Sequence, residues 1–504
     1  WYWPGPSGEF LPRLRRFDVP TFTKTYRSPF RYREMSICGS LPRHRHPMSE
    51  RWFAKMFLNC GATTPSVRDE LGFANIDADH WIGLSRNKAE SEPIFRAHPD
   101  WFSLVDGKRS VENCAGCWSN AAFTDWLVER LDTVITKHCP DIAAFMVSDL
   151  RARCECPDCT REPDPSARFW SYYARLRAAL RQRHPTQRFA GIAYMEYMTP
   201  PPFPIDDLEY VEYAHYDRCW YHRLEDPSCA KNAASLAALR KWREKAPLGI
   251  YGYEFDVFNR LLYLPDGLTI EEAMRVYRKM GVMRVKTEYA VDLNLLEDDS
   301  SLPRARIAQL VNRLSNYAWA CCAFDPDTRF EDILADYCRH VYGAAAEPMR
   351  AYHTRMAEAW VTLPIHSPWN YHNFPLNVAS RLLTPEVQKE AETLLATARE
   401  AVRDDPRAAD EVGIEAATFA DWVRLAEDAR TGRTTYEMPE RHGKDVFATL
   451  PVLRLRPLRH PSQETSLKLY RDRRAVHLKV FCDERDPDFD RGSVESDRMD
   501  WQKQ

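Results

Sequence analysis

Short apolar segments alternate with amphipathic segments over about 300 residues, and this alternation constrains the fold more than any other feature. The predicted strands are Tyr32–Ile37, Ile142–Val147, Phe189–Tyr194, Tyr210–Ala214, Leu248–Tyr253 and Val282–Thr287. The predicted helices between them are Phe123–Thr136, Ala167–Arg183, Ala234–Arg243 and Ile270–Met280. Strands that alternate with helices indicate an α/β fold.

Two observations favour a (β/α)8 TIM-type barrel over a doubly wound open sheet. The first predicted strand is not followed by the glycine-rich turn that is typical of nucleotide-binding open sheets. Most predicted strands also end in polar, aromatic and acidic residues, and barrel enzymes place their catalytic groups at these ends. The sequence therefore predicts an α/β barrel enzyme.

The 504 residues are divided into four predicted parts. Residues 1–27 are expected to be a linker from an N-terminal domain that this sequence lacks, and residues 28–345 the catalytic barrel. Apolar residues three and four positions apart, such as Val387, Ala391 and Leu395, predict a helical region over 346–433 that packs on the barrel. Residues 434–504 are expected to be part of a small β module.

Charge and amino-acid composition indicate which kinds of molecule this protein is expected to bind. The net charge of -3 gives no electrostatic reason to expect nucleic acid as a partner. The sequence contains no run of about 18 apolar residues, so no membrane-spanning helix is predicted. The 15 Trp and 23 Tyr favour a carbohydrate partner, because flat aromatic faces contact the C–H faces of sugars, although core packing must account for most of them. Oligomeric state and localisation stay open, and the 14 cysteines are compatible with a secreted or periplasmic protein.

Four acidic residues directly follow predicted strands: Asp149, Glu196, Glu254 and Glu288. Glycoside hydrolysis needs two carboxyl groups on either side of the glycosidic bond, one protonated as the acid and one ionised as the base or nucleophile. Strand ends that meet on one face of a barrel could supply such a pair. The alternative for each residue is that it caps the following helix or pairs with an arginine.

The cysteines form a second candidate site. Cys117 precedes the predicted helix at Phe123, and Cys154, Cys156 and Cys159 follow the strand that ends at Val147. Cys114 and Cys117 form one C-x-x-C step and Cys156 and Cys159 form another, and such paired steps are typical of structural zinc. The candidate zinc ligands are Cys117, Cys154, Cys156 and Cys159, with disulfides and a loop of free thiols as the alternatives. We expect no metal for catalysis, because four cysteine ligands leave no open position for water.

Several short motifs occur in an order that resembles one bacterial family. They are Trp3–Pro12, Phe30–Arg33, His98–Leu104, Gly107–Arg109, Cys117–Asn120, Ser148-Asp149, Cys154–Cys159 and Val341–Gly343. In this order they resemble proteins that carry domain of unknown function 4838, which are often attached to glycan-degrading systems. The resemblance covers residues 1 to about 360.

That family is distantly similar to the α-glucuronidases of glycoside hydrolase family 67 and the β-hexosaminidases of family 20. The similarity implies a (β/α)8 barrel preceded by a small α/β domain. Hexosaminidases carry an Asp-Glu pair after the fourth strand, but Asp149 is followed by Leu150 here, so N-acetylhexosaminidase chemistry is not expected. The α-glucuronidase arrangement would map onto Asp149, Glu254 and Glu288.

We therefore predict a glycoside hydrolase, α-glucuronidase-like, with Asp149 as the general acid because an apolar strand precedes it. Glu254 and Glu288 are the predicted base or nucleophile, although Glu288 could instead pair with Lys286. The predicted sugar contacts are His80, Tyr194, Glu196, Arg218 and Tyr253. The alternative functions are a non-catalytic glycan-binding or scaffold protein on the same barrel and a metalloenzyme centred on the cysteines.

Overall fold

The computed structural model describes residues 21, 23, 25, 27–36, 47–61, 65–85, 87–147, 154–254, 264–288, 312–366, 375–431, 466–472 and 475–481. The strands are β1 Tyr32–Ser36, β2 Ile76–Ile82, β3 Leu104–Val105, β4 Lys108–Arg109, β5 Ile142–Val147, β6 Arg188–Phe189, β7 Gly191–Ala193, β8 Val211–Ala214, β9 Leu248–Gly252, β10 Arg284–Glu288, β11 Ser466–Asp472 and β12 Ala475–Phe481. The helices are α1 Pro47–Lys55, α2 Pro65–Leu71, α3 Lys88–Ala97, α4 Ala121–His138, α5 Pro165–Arg183, α6 Ala230–Arg243, α7 Gly267–Lys279, α8 Arg313–Phe324, α9 Phe330–Tyr342, α10 Ala346–Val361, α11 Pro375–Leu382, α12 Pro385–Ala401 and α13 Pro406–Arg430. None of the helices described here is long and apolar enough to cross a membrane.

Parallel strands form the centre of the molecule. One sheet has the order β1-β10-β9-β8-β7 and a second has the order β2-β5-β6. Only Ala190 separates β6 from β7; its amide donates to Ala143 of β5 at 3.0 Å, and the amide of Gly191 donates to Tyr210 at 3.0 Å. The two sheets are therefore joined through one interrupted strand, and the α/β class with parallel strands agrees with the prediction.

The backbone near Asn59 lies between β1 and the residues that lead into β2. The Asn59 amide donates to the Arg33 carbonyl at 3.1 Å, and the Asn59 carbonyl accepts from the Ala74 amide at 2.9 Å. The Asn59 side chain also accepts from the Arg33 amide at 2.8 Å. These bonds connect the first strand of one sheet with the first strand of the other.

All six predicted strands of the central region are confirmed, with the segment from Phe189 interrupted at Ala190. The sequence prediction missed β2, whose residues Asp77, Asp79 and His80 hide the apolar pattern of a strand. Two helices, α9 and α10, follow each other closely over residues 330–361, since Gly343 has a φ of 55° and ends α9. A φ of 55° with a ψ of -116° is a backbone conformation that residues with a side chain rarely adopt, so glycine is favoured at this end.

Helix boundaries follow from capping residues. Asn120, Asp164 and Thr384 accept hydrogen bonds from the first-turn amides of α4, α5 and α12. Asp164 and Thr384 are each followed by proline at the first helical position, where no amide hydrogen is needed. The caps fix where each helix begins relative to the strand before it.

The helical region after β10 contacts the central sheet's own helices. Helices α8, α9 and α10 contact α7, and α12 and α13 pack on α10 and α9. Leu395 of α12 is buried in the same hydrophobic core as the strands, and Leu394 is partly buried against it. The apolar stripe of this region is thus covered by the rest of the chain.

Charged residues, rather than apolar ones, occupy one level of the sheet interior. Arg284 of β10, only 1% exposed, donates to Glu34 of β1 at 2.6 Å and to the hydroxyl of Tyr210 at 2.7 Å. Its Nε lies 2.7 Å from Oε1 of Glu212 in β8. Gly249 provides the space, because a Cβ there would lie 3.1 Å from Tyr210 and 3.3 Å from the Cβ of Arg284.

Replacing Arg284 with Met tests this interior ion pair. We expect a loss of about 3–5 kcal/mol in the free energy of unfolding, because two buried carboxylates lose the cation between them. Urea denaturation will measure the change, and Arg278→Met is the control because Arg278 pairs with Asp327 at the surface. The control should change stability by less than about 1 kcal/mol. Equal effects of the two variants would contradict the proposed importance of the interior pair.

Candidate functional site

Glu254 lies just after β9, at the carboxyl ends of the parallel strands. Its side chain is 6% exposed, and its Oε2 accepts a short hydrogen bond from the Thr287 hydroxyl of β10. Thr287 is itself fully buried. The pairing of β9 with β10 places Thr287 opposite Gly252, and this register positions the Thr287 hydroxyl next to the Glu254 carboxylate.

Gly252 allows the Glu254 carboxylate to fold back against the end of its own strand. A Cβ on Gly252 would lie 2.1 Å from Oε2 and 2.5 Å from Oε1 of Glu254. Such distances are far inside van der Waals contact, so any side chain at this position would displace the carboxyl group. Glycine inside a strand often marks a close approach of this kind.

A buried polar chain lies beside Glu254. Arg218, 1% exposed, donates to the hydroxyl of Tyr277 at 3.2 Å, and this hydroxyl also contacts Nδ1 of His215 at 2.9 Å. Nε2 of His215 lies 2.5 Å from the hydroxyl of Ser235. Burial lowers the pKa of Arg218, but attraction to Tyr277, Glu254 and Glu272 outweighs it and the pKa is raised. Arg218 therefore stays charged and stabilises negative charge on Glu254.

Asp266 is a second buried carboxyl group in this region. It precedes α7 and is 5% exposed. Burial first, and the charge of Glu254 in addition, raise its pKa to about 7. Burial also raises the pKa of Asp217, which accepts from the hydroxyl of Tyr213 at 2.8 Å. The region thus contains carboxyl groups held in different electrostatic environments.

Aromatic rings cluster at the same strand ends. Tyr251 and Tyr253 stack with centroids 4.7 Å apart, and Tyr216 meets the Tyr253 ring edge-on at 6.1 Å. Tyr194 meets Tyr216 edge-on at 5.7 Å. The cluster also includes Trp220, above which the Arg218 guanidinium lies 4.5 Å from the ring centre. Tyr253, a member of this cluster, directly precedes Glu254 in the chain.

The remaining residues of the predicted site, apart from Glu196, do not lie in the surroundings of Glu254 described above or are not described by the structure. Asp149 lies outside the described residues, and so does the side chain of Glu288, whose backbone ends β10 opposite Ser36. Lys286 lies 3.8 Å from Glu34 and over the ring of Tyr251, so an acidic partner is available to it within the sheet interior. The Nδ1 atom of His80 lies 2.5 Å from the Val147 carbonyl.

Glu196 lies in a short 3-10 helix after β7, next to Met195, whose φ of 47° is uncommon for a residue with a side chain. Together with Tyr197, Glu196 lines a cavity of about 240 Å³ that extends to Cys154. The cavity connects the loop after β7 with the cysteine loop after β5.

The cysteine loops converge. The Sγ atom of Cys117 lies 3.6 Å from that of Cys156 and 3.9 Å from that of Cys159, and the four sulfurs, Cys154 included, all lie within 4.8 Å of one another. None of the cysteines that the structure describes forms a disulfide. The hydroxyl of Ser119 contacts three of these sulfurs at 3.2–3.4 Å.

Sequence reasoning missed Thr287, Asp266 and Tyr277. None of the three is an acidic residue that directly follows a strand. They matter because they are buried near Glu254, and the sequence does not show this proximity. The glycine at 252, two positions before a strand-end glutamate, is a signal that could have indicated a close backbone approach.

The fold and this site define an α/β protein with parallel strands and a buried carboxyl group at their carboxyl ends. The chain belongs to the family described as Domain of unknown function (DUF4838), whose model matches residues 3–354. This confirms the family that the sequence motifs indicated. No curated protein matches the chain.

Solved structures of carbohydrate-active enzymes are among those to which the chain is similar. One is a β-N-acetylhexosaminidase from Bacteroides fragilis, at 10% identity and a TM-score of 0.37, covering 58% of this chain and 66% of that chain. A second β-N-acetylhexosaminidase has 12% identity and a TM-score of 0.37, covering 63% and 77%. A mutant O-GlcNAc hydrolase from Thermobaculum terrenum has 12% identity and a TM-score of 0.31, covering 82% and 99%.

Replacing Gly252 with Ala tests the position of Glu254. We expect the new methyl group to push the carboxylate away from Thr287 and to lower stability by about 1–3 kcal/mol, since the buried carboxylate would lose the hydrogen bond that Thr287 donates. A crystal structure and urea denaturation will measure both effects. Gly413→Ala is the control, because nothing lies within 4 Å of a Cβ there. An unmoved Glu254 in the Gly252 variant would contradict this packing argument.

Proposed function

We propose that this protein is a glycoside hydrolase in which Glu254 acts as the base or nucleophile. The observation that carries the proposal is the buried Glu254 carboxylate, which accepts from Thr287. Tyr253, the residue before it, belongs to the aromatic cluster. The donated hydrogen bond and the charge of Arg218 both stabilise an ionised carboxylate, the form that a base or nucleophile requires.

We propose Asp149 as the general acid. Glu288 is the alternative to Glu254 as the base or nucleophile. Acid catalysis protonates the leaving oxygen while the ionised carboxylate activates water or attacks the anomeric carbon. A separation of about 5–5.5 Å between the two carboxyl groups would give retention, and one of about 6.5–9.5 Å would give inversion. The α-glucuronidase-like specificity is likewise a proposal.

We also propose that the strands close into an eight-stranded barrel. The backbone around Asn59 would be the second strand, since it bonds to Arg33 on one side and to Ala74 on the other. With β6 and β7 counted as one strand, the order is then β1, the Asn59 segment, β2, β5, β6/β7, β8, β9 and β10. Closure would bring all the carboxyl ends to one face, where barrel enzymes bind substrate.

Tyr194, Tyr253, His80 and Glu196 are the proposed sugar contacts. Tyr194 and Tyr253 belong to the aromatic cluster, His80 lies near the carboxyl end of β2, and Glu196 lies in the 3-10 helix after β7. Arg218 is almost fully buried and bonds to Tyr277, so it is better suited to positioning and neutralising Glu254 than to a direct sugar contact. The same aromatic cluster would also serve a non-catalytic glycan-binding protein, which is the second candidate function.

Replacing Glu254 with Gln separates the two functions. Hydrolysis of a panel of aryl glycosides, glucuronides included, should fall by about 10²–10⁴-fold, because the amide keeps the shape but removes the charge. Glycan binding, measured by calorimetry, should persist. Glu392→Gln, at the exposed surface of α12, is the control and should retain full activity. A protein that binds glycans but cleaves none, with or without Glu254, would favour the binding function.

We propose in addition that Cys117, Cys154, Cys156 and Cys159 hold a structural zinc ion. A tetrahedral zinc with bonds of about 2.3 Å to sulfur separates the sulfurs by about 3.8 Å, close to the observed 3.6 and 3.9 Å. The four ligands are all buried, and together they join the loop before α4 to the loop after β5. The ion would fix these loops and take no part in the reaction.

Replacing Cys154 and Cys156 with Ser tests this zinc site. We expect the double variant to lose about one zinc ion per chain by elemental analysis, because two sulfur ligands are removed. Its melting temperature should also fall less on addition of a chelator than that of the unaltered protein. Cys139→Ser is the control, because Cys139 is exposed and lies at the C-terminal end of α4, whereas the Cys117 loop lies before the N-terminal end of this helix. Unchanged zinc content in the double variant would exclude the site.

A further inference from the structure

A second group of sulfur and nitrogen ligands lies between the loop after β8 and the segment after α10. It consists of Cys219, His222, Cys229 and His366, whose ligand atoms all lie within 4.8 Å of one another. We propose that these four residues bind a zinc ion that clamps the helical region onto the loop after β8. The proposal does not depend on any hydrolytic activity.

The distances suit a tetrahedral ion. Sγ of Cys219 lies 3.3 Å from Nδ1 of His222, and Sγ of Cys229 lies 3.3 Å from Nδ1 of His366. Bonds of about 2.3 Å to sulfur and about 2.0–2.1 Å to nitrogen place neighbouring ligand atoms about 3.3–3.8 Å apart. The rings of His222 and His366 lie with centroids 4.5 Å apart, and one ring nitrogen of each lies within 4.8 Å of both sulfurs.

His222 is held in the tautomer that a metal ligand needs. Its Nε2 lies 2.8 Å from the carbonyl of Leu363, which can only accept, so the proton is on Nε2 and the lone pair is on Nδ1. A histidine ligand usually donates its other nitrogen to a carbonyl or carboxylate in this way. The Leu363 carbonyl belongs to the segment that also carries His366. This segment therefore orients the His222 ring as well as supplying a ligand of its own.

The loop that carries three of the ligands is fixed before any ion binds. Asn232 of α6, fully buried, accepts from the amide of Cys219 at 2.7 Å and donates to the carbonyls of His222 and Arg223 at 3.2 and 2.9 Å. Glu272 of α7 accepts from the amides of Leu224 and Glu225. A rigid backbone lowers the entropic cost of assembling the ligands.

The surroundings also distinguish a metal site from a chance contact. Cys219 and Cys229 are fully buried and His222 is 6% exposed, whereas His366 is exposed and closes the site from the solvent side. Two thiols and two imidazoles are the set that structural zinc sites use, with no position left for a reacting water.

Elemental analysis of zinc in the full chain, purified under reducing conditions, will test the proposal. We expect the Cys219→Ser/Cys229→Ser variant to contain about one zinc ion per chain fewer than the unaltered protein. His366→Ala removes an exposed ligand without disturbing the core and should lower zinc retention in a competing chelator at least about tenfold. His340→Ala, an exposed histidine of α9, is the control and should change neither.

A second measurement separates this site from the four-cysteine site. In the Cys154→Ser/Cys156→Ser background, Co²⁺ should still give the absorption of tetrahedral sulfur and nitrogen ligation. His366→Ala should shift and weaken this absorption, because one nitrogen ligand is lost, and Cys219→Ser/Cys229→Ser should abolish it. Unchanged zinc content in Cys219→Ser/Cys229→Ser would overturn the proposal. A disulfide between Cys219 and Cys229 would also overturn it. Such a disulfide would make the intact mass of the unaltered protein two hydrogens lower than expected, reductant would restore the expected mass, and the Cys219→Ser/Cys229→Ser variant would not show the difference.

Discussion

The buried guanidinium of Arg284 is the interaction on which the central sheet depends. It joins Glu34 of β1, Glu212 of β8 and the hydroxyl of Tyr210. Because side chains alternate along a strand, a shift of one residue in β10 would carry Arg284 out of the interior and expose its carboxylate partners to an apolar environment. The ion pair therefore specifies the register of β10 more strictly than apolar packing would.

That register has a direct effect on the candidate site. Thr287 is on the same strand as Arg284, three residues further on, and is paired with Gly252 of β9. Its hydroxyl reaches Glu254 only while this register holds. A charge in the interior thus positions a hydrogen-bond donor at the end of the strand, and Gly252 leaves the space that the carboxylate needs.

The sequence predicted the features that depend on local patterns. Apolar runs such as Ile142–Val147 identified the strands, and the spacing of Cys154, Cys156 and Cys159 indicated a common loop site. The features that it did not predict depend on long-range contacts. His366 is separated from Cys229 by 137 positions, and β2 lacks the apolar pattern of a buried strand because it carries Asp77 and Asp79. The environment of Glu254 likewise comes from residues on β10, α7 and the loop after β8.

Gly249 has a consequence for how relatives of this chain can differ from it. The position lacks a side chain because the space is occupied by the ring of Tyr210 and the stem of Arg284. A larger residue at 249 is compatible only with a smaller residue at 210 or 284, and loss of the arginine would in turn favour neutral residues in place of Glu34 and Glu212. Across the family, these positions should therefore co-vary as one unit, and an isolated change at any of them should be rare.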